Sequence, residues 1–360
     1  MPGLVTHCVF GARALARLPD CQAKRAAQRH SRAFFLGCQG PDLFTYNFLR
    51  LAFSNHRNLG AYLHNHRIKA WFLQGFACLP ESEPERGVCL AYLAGAYCHY
   101  VCDSVCHTFV YARTGYDPAH KSARYYGRHA ALESDIDAWY MAQCGYSYTR
   151  LRQEQIFRLN EAESQLVSKY LARVLQGTLG DLFPVRSPFR PAFVRRAMTM
   201  ASLESSLLHD PGAQRRQMVE KFENKVMKFP LLSAKFITDA PSSMPDPMNL
   251  AHAPWRDPWK PQRLFTESFD ELFCKGLRLA VWLLPQMDDP VRFLMMTGDT
   301  NYHDDRVLAP NFQRLERAVA AGQAGTGQPA PAASRVRCIT YSMFIPLLPP
   351  SREFFPPSAA

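Results

Sequence analysis

From Val88 to Cys102 the chain carries no Asp, Glu, Lys or Arg, and this stretch (VCLAYLAGAYCHYVC) runs directly into Asp103 and His107. An uncharged segment of this kind reads as a largely buried helix, against which the other helices of the chain have to pack. Across its end, His99, Asp103 and His107 form a His-x-x-x-Asp-x-x-x-His run. At about 100° per residue, a four-residue step returns a helix to nearly the same face, so imidazole and carboxylate project together. His129-x-x-x-Glu133 repeats the device in GRHAALESDID, and Asp137 extends that stripe by four more residues. A carboxylate without a partner on a buried helix is costly. Either a buried polar network or a metal ion resolves that cost. Neutral imidazole nitrogen and carboxylate oxygen on facing helices suit zinc, so a metal centre is the leading reading.

The chain has 360 residues, 47% of them hydrophobic, which is ample for one large helical domain or two smaller ones. A formal net charge of +11 directs the search for partners toward anions, either nucleic acid or an anionic lipid surface. The basic stretches at 23–32 and 186–196 read as solvated helix faces or loops. Eleven cysteines are an odd number in a chain too long to need disulfide staples. The first twenty residues lack the pattern of a secretory leader, and nowhere do eighteen apolar residues run uninterrupted. The expectation is therefore a reduced, cytoplasmic protein without a transmembrane segment. Cys98, Cys102 and Cys106 each precede a proposed ligand by one place and read as small apolar fillers rather than thiolate ligands.

Helical periodicity dominates the first three hundred residues. The pattern predicts helices from Asp20 to Phe35 and near 58–78, 86–110, 122–143, 150–177, 211–228 and 268–284. Asp210-Pro211 reads as an N-cap followed by Pro at the first helical position. Gly37 and Gly40-Pro41 break the chain before Asp42, which falls on a loop or at a helix start. Residues 237–262, rich in Pro, Met and Trp, read as an ordered loop around the bundle. The predicted organisation is a helical domain over 1–318, a flexible low-complexity linker over 319–335 and a poorly ordered, apolar, Pro-rich tail over 336–360.

With these motifs in view, the chain resembles the zinc-dependent phospholipase C family, whose all-α, multi-helix fold is shared with fungal single-strand-specific zinc nucleases. The resemblance rests on Thr6-His7, on FLGCQGPD ending at Asp42, on LGAYLHNHRIKAWF containing His64, and on His99, Asp103, His107, His129 and Glu133 in the family's order. A segment over 249–272, with Asn249, His252, Trp255, Pro258 and SFDEL, also follows the pattern. The resemblance implies two or three zinc ions per chain. One is surrounded by Asp42, His64, His99 and Asp103, with Asp103 bridging toward a second held by His7; His107, His129 and Glu133 hold the third. It also implies a phospholipid substrate, cleaved by metal-activated water to diacylglycerol and a phosphorylated headgroup. Asp42 is the candidate to orient or deprotonate the nucleophile.

Other residues receive lesser roles. Asp137 reads either as a partner of a ligand histidine or as a helix cap or salt-bridge residue. His66 falls on a different helix face from His64, His120 on a loop, and His252 in a packed, hydrogen-bonded role. Two other functions compete with the phospholipase. One is a zinc nuclease or nucleotidase, for which nucleic acid becomes the partner; Glu133 argues against it, since the nuclease relatives resemble the pattern with Asp there. The other is a non-catalytic, metal-stabilised protein that contacts an anionic membrane surface or another partner.

Overall fold

The computed structural model describes residues 3–45, 59–118, 123–183, 187–240, 242 and 244–290. The expectations for the linker, the tail and His120 lie outside these residues. The described chain forms α1 (Leu4–Arg17), α2 (Gln22–Arg29), α3 (Ser31–Gly37), α4 (Leu59–Asn65), α5 (Ile68–Ala77), α6 (Glu85–Arg113), α7 (Ala123–Gln143), α8 (Glu161–Leu179), α9 (Pro191–Leu208), α10 (Gln214–Val226) and α11 (Phe269–Leu283). A short antiparallel pair, β1 (Trp255–Arg256) with β2 (Leu264–Phe265), is the only sheet among the described residues. The fold is all-α.

Every residue from Gly87 to Ser104 is buried, as the lack of charge requires. α6 is the axis, and α1, α2, α3, α8 and α11 pack around it. Its first turn carries Glu85 and its last Arg113, matching the partial charges at the two ends. α11 begins with a complete capping box between Ser268 and Glu271. From there Phe269 meets Phe109 of α6 edge to face, and Phe273 meets Phe10 of α1 at 5.1 Å. No described helix is long and apolar enough to cross a membrane.

Several boundaries differ from the sequence expectation. The segment from Asp20 to Phe35 is two helices, because His30 adopts φ −123°, ψ 54° between α2 and α3. Asp20 pairs with Arg25 at 2.6 Å rather than capping. The helix expected over 58–78 is split at Arg67, whose φ of 63° ends one helical path and begins another. Asn160, not a residue near 150, starts α8 by accepting a hydrogen bond from the Glu163 N–H. Asp210 does not head α10; the helix starts three residues after Pro211, and Asp210 accepts from the Arg216 N–H. α1 and α9 carry helix where the pattern had assigned none.

The loop over 237–262 is ordered by a buried asparagine. Asn249, fully buried at φ 56°, donates from Nδ2 to the carbonyls of Ala253, Thr266 and Glu267 at 3.0–3.3 Å. An asparagine tolerates this left-handed backbone better than most residues, and its side chain ties the loop to the segment that leads into α11.

Candidate metal centre

Four segments converge on one face of α6. α6 itself presents His99, Asp103 and His107, while α7 brings His129 and Glu133, α1 brings His7, α4 brings His64, and the turn over Gly40–Phe44 brings Asp42. Glycines set how closely α3 and that turn approach. A Cβ on Gly37 would lie 2.1 Å from the Tyr92 carbonyl oxygen, and one on Gly95 would lie 2.0 Å from that of Phe34, so α3 and α6 meet backbone to backbone. Gly40 adopts φ 49°, and a Cβ there would sit 2.4 Å from the His99 ring. The chain can therefore turn over the imidazole and deliver Asp42 beside it.

Asp103 lies at the centre. Its Oδ1 is 3.2 Å from His7 Nε2, and its Oδ2 is 3.3 Å from His99 Nε2, 3.3 Å from His107 Nδ1 and 3.6 Å from His64 Nε2. Asp42 Oδ1 is 3.4 Å from His64 Nε2. Glu133 Oε1 is 2.8 Å from His129 Nε2 and 3.4 Å from His107 Nε2. Three groups offer ligand atoms within 4.8 Å of one another: His7, His99 and Asp103; Asp42, His64 and His99; His107, His129 and Glu133. All eight residues named from sequence thus come together. His99 belongs to two of the groups, so it shares with Asp103 the position between them.

The far sides of the rings are held in place. His64 Nδ1 is 2.7 Å from the Gly60 carbonyl and His99 Nδ1 is 3.0 Å from that of Cys38; a carbonyl only accepts, so each Nδ1 carries the proton and Nε2 presents its lone pair inward. The Tyr125 hydroxyl lies 2.6 Å from His129 Nδ1 and orients that ring. These partners were not singled out from sequence, although Gly60 and Tyr125 each precede their histidine by four residues and share its helix face. Asp137 touches no ligand ring. It accepts hydrogen bonds from the Val5 and Thr6 N–H groups and the Thr6 hydroxyl at 2.6–3.1 Å, capping α1 one turn from His7.

Electrostatics separate the groups. Burial raises the Asp103 carboxyl, but His107, His99 and His7 outweigh it and hold it well below the usual range. Glu133 follows the same pattern: burial raises it, and His129 and His107 bring it down to about 2. Burial lowers the His7 and His107 imidazoles, yet neighbouring carboxylate, chiefly Asp103, leaves both raised. His99 is lowered, first by burial and then by His7. Burial pushes the Cys98 and Cys102 thiols up, which suits the packing role expected of them.

A divalent cation fits this donor set. Three buried carboxylates face the cluster, and Asp42 Oδ2, Asp103 Oδ2 and Glu133 Oε2 have no hydrogen-bond donor among the described residues. A cavity of about 20 Å³ opens between His7, Asp103, His107 and Glu133, room for one ion or water. Of the remaining histidines, His66 is exposed, and His252 Nδ1 lies 3.1 Å from the Thr266 carbonyl, away from the cluster.

The all-helical scaffold thus buries imidazoles and carboxylates in three contiguous groups that could hold a divalent metal. Residues 6–182 match the family model described as zinc dependent phospholipase C. Every proposed ligand falls inside the matched residues, whereas the Asn249-to-SFDEL segment lies beyond them. No curated protein and no solved structure matches the chain.

Proposed function

We propose that this cluster holds two or three zinc ions through His7, Asp42, His64, His99, Asp103, His107, His129 and Glu133, and that the protein hydrolyses the glycerol-side phosphodiester of phospholipids, releasing diacylglycerol and a phosphorylated headgroup. The observation that carries this reading is the convergence of buried carboxylate oxygens lacking donors with imidazoles whose lone pairs point inward, within the family's matched segment. Zinc bound there supplies positive charge to a phosphodiester whose oxygens gain negative charge on attack, and it acidifies water. Asp42 fits the base: Oδ1 faces His64 at 3.4 Å, while Oδ2 stands ready to take a proton from the attacking water. Asp137 holds α1 and so fixes His7, and Tyr125 fixes His129. The +11 charge suits work at an anionic membrane surface.

Tyr111 and Tyr125 flank His129 and pack with Tyr116 and Trp259, the ring centroids of the four lying 4.6–5.9 Å apart. Such a wall shapes one side of the site. The test is metal analysis of purified protein followed by release assays on phospholipids and single-stranded DNA. At least two zinc ions per chain and release of phosphorylated headgroup with intact DNA are expected. One ion or none ends the multinuclear reading, cleavage of DNA alone makes the protein a nuclease, and zinc without hydrolysis of either makes the metal structural.

A further inference from the structure

α7 carries two stripes. One, His129 and Glu133, faces the metal centre; the other, Arg124, Arg128 and Ala131, lines a separate pocket of about 550 Å³ closed by the end of α6, by α10 and by the turn after it. Five cations border this pocket, Arg113, Arg124, Arg128, Arg216 and Lys228, against one carboxylate, Glu220. Glu220 stands 4.0 Å from Arg216. Asp135, which also feels Arg216, is occupied by the Ser242 N–H and hydroxyl. Two of the guanidiniums are held by carbonyls before any ligand arrives: Arg113 donates to Asp246 at 2.8 Å and Arg216 to Ala240 at 2.9 Å. Phe229 and Met244 add an apolar surface to the same wall. None of the eight metal-competent residues lines the pocket.

We propose that this pocket is a second binding site, for a compact polyol ring carrying two or more phosphates. Guanidinium forks match phosphate oxygens two at a time, and several converging cations select multiple phosphates over a single carboxylate. The volume is that of a small-molecule site, which argues for a discrete headgroup-sized ligand rather than a polynucleotide track. Phe229 and Met244 suit the apolar face of the ring. The proposal stands apart from the hydrolytic reading, since no proposed metal ligand takes part in it.

The test uses the full-length, zinc-loaded protein and two probes: soluble inositol hexakisphosphate, followed by calorimetry, and phosphatidylcholine vesicles with or without phosphatidylinositol 4,5-bisphosphate, followed by sedimentation. Arg124 and Arg128 are exposed, so the double variant R124E/R128E keeps the fold, with zinc content and melting temperature as controls. It should weaken binding by roughly tenfold or more, and K228E should act in the same direction. The double variant R124K/R128K keeps the charge but removes the forks, so it should bind more weakly than the native protein and more tightly than R124E/R128E. The double variant K221E/K225E changes net charge equally on the side of α10 turned away from the pocket and should leave affinity within about twofold. Capture of both probes marks the ligand as lipid-borne, and capture of the soluble probe alone marks it as free; either supports the site. No binding of either probe, or equal weakening by the two glutamate pairs, overturns it.

Discussion

His7, Asp42, His64 and His99 reach the metal centre from four separate segments, whereas His107, His129 and Glu133 come from two helices that follow one another along the chain. The first end is locked by backbone. Gly37 and Gly95 bring α3 against α6, Gly40 folds over the His99 ring, and the carbonyls of Cys38 and Gly60 hold two imidazoles. The second end is locked by side chains, with the Tyr125 hydroxyl behind His129, whose side chain is 15% exposed against 0% for His99. Where ligands are distant in sequence, the main chain itself has to be constrained to bring them within reach. Where they lie four residues apart, the helix already supplies the spacing, and a single hydroxyl completes the orientation.

Asp103 belongs to both ends, so Asp103→Asn should have the largest effect. It removes the anion that lies 3.2–3.6 Å from four imidazoles. Zinc affinity should fall by more than roughly a hundredfold, beyond the loss typical of an outer partner, and hydrolysis should fall with it. Full zinc content in this variant would mean that the two ends are independent sites. Gly40→Ala separates them. The left-handed backbone and the overlap with His99 together cost about 2–4 kcal/mol. Metal analysis should then show loss at the end built from Asp42, His64 and His99 and retention at His107, His129 and Glu133. Loss of all zinc would erase the distinction between a backbone-locked and a side-chain-locked end.

Tyr125→Phe acts on the opposite end and should do less. Losing the hydroxyl behind His129 should weaken zinc there by roughly tenfold, leaving the ions at the other end unchanged. The smallest effect is one the two ends share. His7 and His107 are raised in the metal-free protein by carboxylate, against the lowering by burial. Their pairing therefore contributes fully below the ordinary imidazole value of 6.5 and is lost as pH rises through the raised values. Chelated protein should melt progressively lower as pH is raised above neutrality, while the added stabilisation from zinc, which needs neutral imidazole, grows over the same window. A metal-free protein that gains stability over that window would show that these pairs do not hold it.

The side-chain-locked end was readable directly from residue spacing, because i, i+4 repeats on a helix are a local property. So was the buried character of α6. The other end was readable only through resemblance: nothing in the spacing of His7, Asp42 and His64 says that they meet, and the glycines that bring them together act through contacts between α3, α6 and the Gly40 turn. The errors in element boundaries have a similar origin. Arg67 and Ala213 adopt left-handed backbone without a glycine or asparagine to announce it. α9 starts with Pro191 at its first position, a helix-start signal hidden within a stretch that looked like a basic loop. Asp137 was legible as a polar partner on the His129 stripe, but whether it faced a ring or a helix end depended on where α1 docks.

That docking also orders the assembly of the molecule in time. Asp137 holds residues more than a hundred positions earlier in the chain, and α1 rests against α6, α7 and α11. Contacts of such long range require the loop between them to close, at an entropic cost that grows with its length. During synthesis α1 leaves the ribosome before every surface that will receive it, and Gly3 to His7 have no cap until α7 has emerged. The earliest described helix to be made therefore gains its cap only after α7 has been made, and the site that needs His7 is completed only then.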